Sequence, residues 1–224
     1  MGTYLILSEK KWNQNLAQSF DNENDYWVLI NKKEDFTLEK LTEIGPEKIF
    51  IPHWSHYIPE EIYTKFECVV FHETNLPFGR GGSPIQNLID RGIKNTKITA
   101  LRADEKLDAG PIYLKKDLSL LGTAEEIFLR ANTIVKEMIS EIVEKDIEPV
   151  PQSGKPTFFK RRNPSQSNIE KLTDLEKVFD YIRMLDAEGY PKAFIETEHF
   201  KFEFSRASLK SNETIIADVR IIKK

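Results

Sequence analysis

Four short apolar runs, spaced so that a helix-sized segment fits between them, constrain the fold of this chain more than any other feature. They are Tyr4-Leu5-Ile6-Leu7, Tyr26-Trp27-Val28-Leu29-Ile30, Lys48-Ile49-Phe50-Ile51-Pro52 and Cys68-Val69-Val70-Phe71. Each is near-continuous rather than alternating, the pattern of a strand buried on both faces. Between the first two, Glu9 to Phe20 carries Trp12, Leu16 and Phe20 at four-residue spacing, which predicts one face of a helix. Leu38 to Ile44 predicts a second helix, closed by Gly45-Pro46, and Pro59-Glu60-Glu61-Ile62-Tyr63 opens a third with its acids at the positive helix end. Strand and helix in alternation predict an α/β fold, a Rossmann-like core with a mostly parallel sheet covered on both faces. Ligands of such sheets collect beyond the carboxyl ends of the strands. Two histidine-bearing segments leave strands at that edge: Pro52-His53-Trp54-Ser55-His56, and His72-Glu73-Thr74-Asn75.

Further along, Ser83 to Arg91 predicts a helix after a glycine-rich turn. Thr96 to Arg102 alternates like a strand, and Ile112-Tyr113-Leu114 returns as another after the turn Leu107-Asp108-Ala109-Gly110-Pro111. The longest helical pattern runs from Thr123 to Glu144, opened by a capping box at Thr123-Ala124-Glu125-Glu126. From Pro149 the chain becomes proline-rich and irregular, with Lys160-Arg161-Arg162 embedded in it. A helix at Leu175 to Leu185 and strands at Phe194 to Glu198, Phe200 to Phe204 and Ile215 to Ile222 follow. This divides the 224 residues into a core, residues 1–150, and a linker, helix and small β appendage, residues 151–224.

Composition narrows the function. The formal charge is −4, whereas proteins that hold a polyanion over a broad face carry a basic excess, so a nucleic-acid partner is not expected. No run approaches the roughly 20 apolar residues that span a bilayer, and Met1 to Lys11 reads as a strand rather than a cleaved leader. A single cysteine, Cys68, precludes an internal disulfide and fits a reducing compartment. In a buried strand it is a small hydrophobe rather than a nucleophile. A cytoplasmic protein without a membrane partner is the expectation.

Taken singly, the chemistry-bearing residues decide little. Gly79-Arg80-Gly81-Gly82 matches neither the dinucleotide fingerprint nor the P-loop. His72 ends a strand, where histidines are more often structural, and Asp108 sits in a turn that aspartate favours anyway. His53, His56 and His72 lack the spacing of a zinc site, so no metal is expected.

The combination is more specific. His72 at a strand end, then Leu76-Pro77-Phe78-Gly79-Arg80-Gly81-Gly82-Ser83-Pro84, then Leu107-Asp108-Ala109-Gly110, resembles the folate-dependent formyltransferases. Residues 48–115 carry this resemblance. The stretches Phe159 to Pro164 and Ile182 to Phe194 are similar to the C-terminal signature of the sugar enzymes of that family. The resemblance implies N10-formyltetrahydrofolate as co-substrate and a catalytic Asn, His and Asp, the Asn two positions before the His. Here His72 and Asp108 match, but Val70 stands where the Asn is expected. His53 or Asn75, on neighbouring loops, is the candidate to supply the missing donor. By resemblance, the pterin lies against the loops from His53 to Ile58 and Arg102 to Asp108, which makes Pro52, His53, Ile58, Arg102, Asp104, Leu107 and Asp108 the cofactor-binding candidates. The resemblance makes Phe78, Arg80, Gly81, Gly82 and Gln86 the acceptor-side candidates, with Lys160, Arg161 and Arg162 candidates for its diphosphate, since arginine pairs well with phosphate oxygens.

The run from Phe71 to Ile89 is similar to short formyltransferases of pseudaminic-acid-type sugar pathways. This implies a nucleotide-linked amino sugar, UDP-4-amino-4,6-dideoxy-L-AltNAc, as acceptor. Glycinamide ribonucleotide, a carrier-bound amino acid, or an inactive folate- or nucleotide-sugar-binding relative are the alternatives. The alternating C-terminal strands offer an edge on which a homodimer could form.

Overall fold

A computed structural model describes residues 2–20 and 25–224, so Met1 of the first predicted strand lies outside the described residues. The four apolar runs form β1 (Thr3–Leu7), β2 (Tyr26–Ile30), β3 (Lys48–Pro52) and β4 (Glu67–His72). β1 pairs in parallel with both β2 and β3, and β4 pairs in parallel with β3. With β6 (Asn95–Arg102) and β7 (Ile112–Ser119) they make a six-stranded sheet of order β2-β1-β3-β4-β6-β7. The order reverses at β1, the kind of switch that leaves a crevice at the carboxyl edge. β6 runs antiparallel to β4, so the sheet is mixed on its far side.

Strand alternation sends side chains to two cores. On one face Leu5, Leu7, Ile49, Ile51 and Cys68 pack with Leu41 of α1 (Leu38–Ile44) and Ile62 of α2 (Glu60–Tyr63), all at most 1% exposed. On the other face the rings of Tyr4, Trp27, Phe50 and Phe71 lie in sequence, neighbouring centroids 4.8 to 6.5 Å apart. Phe20 stacks on Trp27 at 4.4 Å. Asn132 of α4 (Ala124–Lys145) donates to the Trp12 carbonyl, and Lys136 sits over the Phe20 ring. Each such buried side chain contributes about 1.5–3 kcal/mol, which is why these runs dominate the fold.

The predicted helix boundaries have local causes. Thr37 caps α1 by accepting from the Lys40 amide, and Gly45 ends it in the left-handed conformation (φ 60°). The capping box at the start of α4 forms, Thr123 and Glu126 each accepting from the other's backbone amide. Glu9 to Phe20 corrects the expectation of a helix: it makes only two single 3₁₀ turns, Lys11–Asn13 and Gln18–Phe20. Leu16 and Phe20 are buried as their spacing required, but Asn13 turns its amide onto Ser8 Oγ (2.8 Å). Such local side-chain bonds compete with helix.

Two compact units emerge. One comprises the described residues through Arg80, then 97–118 and 129–158; the other comprises 81–96, 119–128 and 159–224. The second holds α3 (Pro84–Asp90), α5 (Leu175–Arg183) and an antiparallel sheet of order β11-β10-β9, formed by β9 (Ala193–Glu196), β10 (Phe200–Lys210) and β11 (Thr214–Lys223). Within it Gln86 donates to the Met184 carbonyl, and Arg183 donates to the carbonyls of Leu120 and Gly122. β10 is longer than its predicted stretch because the register shifts between Ser205 and Ser208, where Arg206 takes a positive φ. Such a bulge breaks the alternation that announces a strand. Two-residue strands β5 (Arg80–Gly81) and β8 (Phe158–Phe159) form a separate small sheet. Among the described residues, no helix is long and apolar enough to cross a membrane.

Candidate active site

The parallel register pairs Ile51 with Val70 and Pro52 with Phe71, so the chain leaves β3 at His53 level with His72, the last residue of β4. His72 is 6% exposed. Its Nε2 lies 2.8 Å from the Gly79 carbonyl oxygen. A carbonyl accepts only, so Nε2 carries the hydrogen and donates it. Nδ1 faces Asp108 Oδ2 at 3.7 Å, the carboxylate side chain 9% exposed. That distance exceeds an ordinary hydrogen bond, and the contact is an ion pair only while Nδ1 also carries a proton.

Asp108 adopts a left-handed backbone (φ 52°). Its turn is held by close packing at Gly110, where a Cβ would lie 1.9 Å from the Arg102 carbonyl oxygen. The loop that presents Gly79 is stapled from β6 and β7. Thr99 Oγ1 donates to the Thr74 carbonyl, and Lys115 Nζ donates to the Leu76 carbonyl and to Asn75 Oδ1. Burial first, then the neighbouring Lys97, pulls Lys115 below the usual ammonium range.

Val70 turns into the apolar core beside Ile51 and Cys68 and brings no polar group to the site. His53, also with a left-handed backbone (φ 55°), sets Nε2 3.0 Å from Glu73 Oε1, both side chains nearly buried (7% and 9%). The His53 ring meets Trp12 edge-on, centroids 5.9 Å apart. Burial alone would push the Glu73 carboxyl up. The charge and hydrogen bond of His53, with the charge of His72 beyond, reverse this and hold it below the usual carboxylate range. Glu73 was not among the residues expected from sequence, though its place beside His72 at a strand end was the signal available. Cys68 is buried in the strand, its thiol pushed up to about 12 by burial, and is chemically inert.

Of the other expected residues, the first unit holds Pro52, Ile58, Phe78, Arg80, Arg102, Asp104 and Leu107. Pro52 is buried and Ile58 half-buried, whereas Phe78 and Leu107 present apolar surface to solvent, Leu107 at 55%. Arg102 and Asp104 are exposed. Gln86 and the basic run belong to the second unit, as do Gly81 and Gly82. There the glycines meet the chain's own backbone: a Cβ on Gly81 would lie 2.3 Å from the Phe159 carbonyl oxygen, and one on Gly82 2.9 Å from Arg161 Cα. Lys160 and Arg161 are exposed. Arg162 is engaged internally, paired with Asp90 (3.3 Å) and stacked over Tyr181. Among the described residues, no cluster of three or more His, Cys, Asp or Glu side chains is arranged to hold a metal ion.

Comparison with known proteins adds a second line. The family model described as formyl transferase matches residues 8–142, and that described as the methionyl-tRNA formyltransferase C-terminal domain matches residues 164–222. A methionyl-tRNA formyltransferase of Thermodesulfovibrio yellowstonii is 31% identical over 177 residues, 75% of this chain and 58% of that protein. The chain thus spans somewhat over half the length of that curated relative. A solved structure named as methionyl-tRNA formyltransferase from Clostridium thermocellum is 52% identical with a TM-score of 0.97, and each chain is covered completely. HypX from Aquifex aeolicus in complex with tetrahydrofolic acid shares the fold at 19% identity (TM-score 0.76; 92% of this chain, 38% of that one). So does a sugar N-formyltransferase from Shewanella at 16% (TM-score 0.66; 97% and 96%).

Proposed function

The chain belongs to the formyl transferase family, and from that premise we propose that it moves a formyl group from N10-formyltetrahydrofolate to an amine on a carrier-bound amino acid, with methionyl-tRNA as the acceptor to test first. The observation that carries the reaction is the buried His72–Asp108 pair at the carboxyl edge of the sheet, with the hydrogen of His72 on Nε2. When bound, the co-substrate supplies an activated formyl carbon. The exposed Leu107 and half-buried Ile58 and Trp54 fit a flat heteroaromatic ring, and Pro52, His53 and Asp108 line the same edge. Arg102 and Asp104 are the polar candidates beside them.

When an amine adds to a formyl group, charge develops on the carbonyl oxygen and the nitrogen must shed a proton. His72 Nε2–H serves the first need by exchanging the Gly79 carbonyl for that oxygen. Asp108, beside Nδ1, receives the amine proton, which would pass to N10 of the folate as the bond between N10 and the formyl carbon breaks and tetrahydrofolate departs. Donors of this kind contribute about 10²–10³-fold, and a positioned acid or base about 10²–10⁴-fold. The donor that Val70 does not supply is His53. Its support is the register that sets it level with His72 and the Glu73 carboxylate that fixes its ring, whereas Asn75 is exposed and its side chain is tied to Lys115 of β7. Phe78 and Arg80 are the acceptor-side candidates of this unit. Gln86, whose amide is engaged with Met184, and the backbone-packed Gly81 and Gly82 have less support.

The acceptor assignment draws on the full-length similarity to the Clostridium thermocellum protein. A nucleotide-linked amino sugar is the second reading, favoured by the net charge of −4, which suits a small acceptor better than a polyanion; the exposed Lys160 and Arg161 would then meet the diphosphate. Incubation with N10-formyltetrahydrofolate and either methionyl-tRNA or UDP- and dTDP-linked 4-amino sugars, followed by mass spectrometry, separates the readings. Gain of one CO on the methionyl group supports the first, and gain on a sugar alone supports the second. Folate binding without gain on any amine would leave an inactive relative.

A further inference from the structure

The stretch from Pro149 to Thr157 has no helix or strand of its own, yet it bonds to the Asp108 turn and to the loop around Gly79. It is pinned at both ends. Val150 and Ile112 exchange two backbone hydrogen bonds (2.7 and 2.8 Å). At the other end the Thr157 amide donates to the Pro77 carbonyl, its Oγ1 accepts from the Gly79 amide (2.7 Å), and its carbonyl accepts from the Arg80 amide. Between these anchors stands Gln152, half-buried. Its Nε2 donates to the carbonyls of Asp108 and Gly110, both at 2.9 Å, and its Oε1 accepts from Arg80 Nη2 at 2.8 Å. One carboxamide thus closes the Asp108 turn with its two N–H groups and orients the Arg80 guanidinium with its oxygen.

From this geometry we infer that Gln152 is a positioning residue, one that locks the Asp108 turn and the Arg80 side chain into a single frame and so sets the distance between Asp108 and His72. The inference rests on the His72–Asp108 reading given above. Asp108 stands in a left-handed conformation (φ 52°) that a residue with a side chain adopts only with local support, so the turn gains from support outside itself. Two donors converging on the carbonyls of residues 108 and 110 provide it. Asparagine is one methylene short, and a glutamate would set a negative oxygen against two carbonyls. Arg80 Nε is buried without a hydrogen-bond partner among the described residues, so the Gln152 oxygen fixes the direction of that guanidinium.

The chain has four histidines, so long-range ¹H–¹⁵N correlation spectra of the imidazoles resolve His72 directly and need no knowledge of the acceptor. Spectra of the wild type, Asp108→Asn, Gln152→Ala and the nearly isosteric Gln152→Glu are compared. Gln152→Glu keeps the acceptor for Arg80 and loses both donors to the turn. We expect the His72 Nδ1 signal to move in both Gln152 variants in the direction seen for Asp108→Asn, and by most of that displacement. His56 and His199 should stay at wild-type positions and report an intact fold. A His72 signal unmoved by the Gln152 changes but moved by Asp108→Asn overturns the inference and leaves the catalytic pair standing. A signal unmoved by Asp108→Asn removes the pair itself, and the inference with it.

Discussion

At the scale of single residues, Glu73 exposes a property that the motif does not contain. Its carboxyl would be raised by burial, but the charge and hydrogen bond of His53, helped by His72, hold it below the usual range. A carboxyl depressed in the native state contributes stability at pH above its unfolded value, about 4.3, and that contribution fades as pH falls through the native value. Removing one partner of a buried pair leaves the other uncompensated, at a cost of about 3–5 kcal/mol. Denaturant titration of Glu73→Gln at pH 7 should therefore show a loss of about 3 kcal/mol. The gap to wild type should narrow as pH drops below about 4. A gap that is constant with pH would mean that the carboxyl is not charged in the native protein. Sequence led to His53 as one of two substitutes for the missing asparagine; only the structure shows the partner that orients it, because Glu73 belongs to no spacing pattern.

At the scale of elements, the buried strands were legible because their apolar runs are short and bounded. His72 was legible as the residue at which the apolar run ends. Strand direction was not, since β6 alternates in the same way whether it runs parallel or antiparallel to β4. Gln152 was invisible for a related reason: it lies among prolines, where no period marks which side chain points inward, and its three partners are more than 40 residues away in sequence. The Asp108 turn was read as one that aspartate favours, but close packing at Gly110 decides its shape. Gly110→Ala would drive a Cβ to 1.9 Å from the Arg102 carbonyl oxygen, which backbone cannot yield to cheaply, at a cost of about 1–3 kcal/mol or more. Gly92→Ala, with open space around it despite a φ of 72°, should lose only about 1–2 kcal/mol from strain. Thermal melts of the two variants check the contrast, and equal losses would show that conformation rather than contact governs both turns.

At the scale of the whole molecule, the acidic balance and the family relationship pull in different directions. A net charge of −4 argued for a small acceptor, whereas relatives at 31% and 52% identity are named for methionyl-tRNA. Net charge does not report how charge is distributed, and that is why composition could not decide. Salt can. If the acceptor is a tRNA, its apparent affinity should fall steeply with ionic strength, by a log–log slope of about −0.7 to −0.9 for each phosphate contact. A nucleotide sugar with two phosphates would give a shallow dependence. Beneath the question of acceptor lies the claim that the His72–Asp108 pair performs formyl transfer. The most direct test is the rate of CO gain by the accepted amine, measured for wild type and for folded His72→Ala at saturating donor. The rate should fall by about 10²–10⁴-fold, and a His72→Ala enzyme that turns over at the wild-type rate would contradict the account.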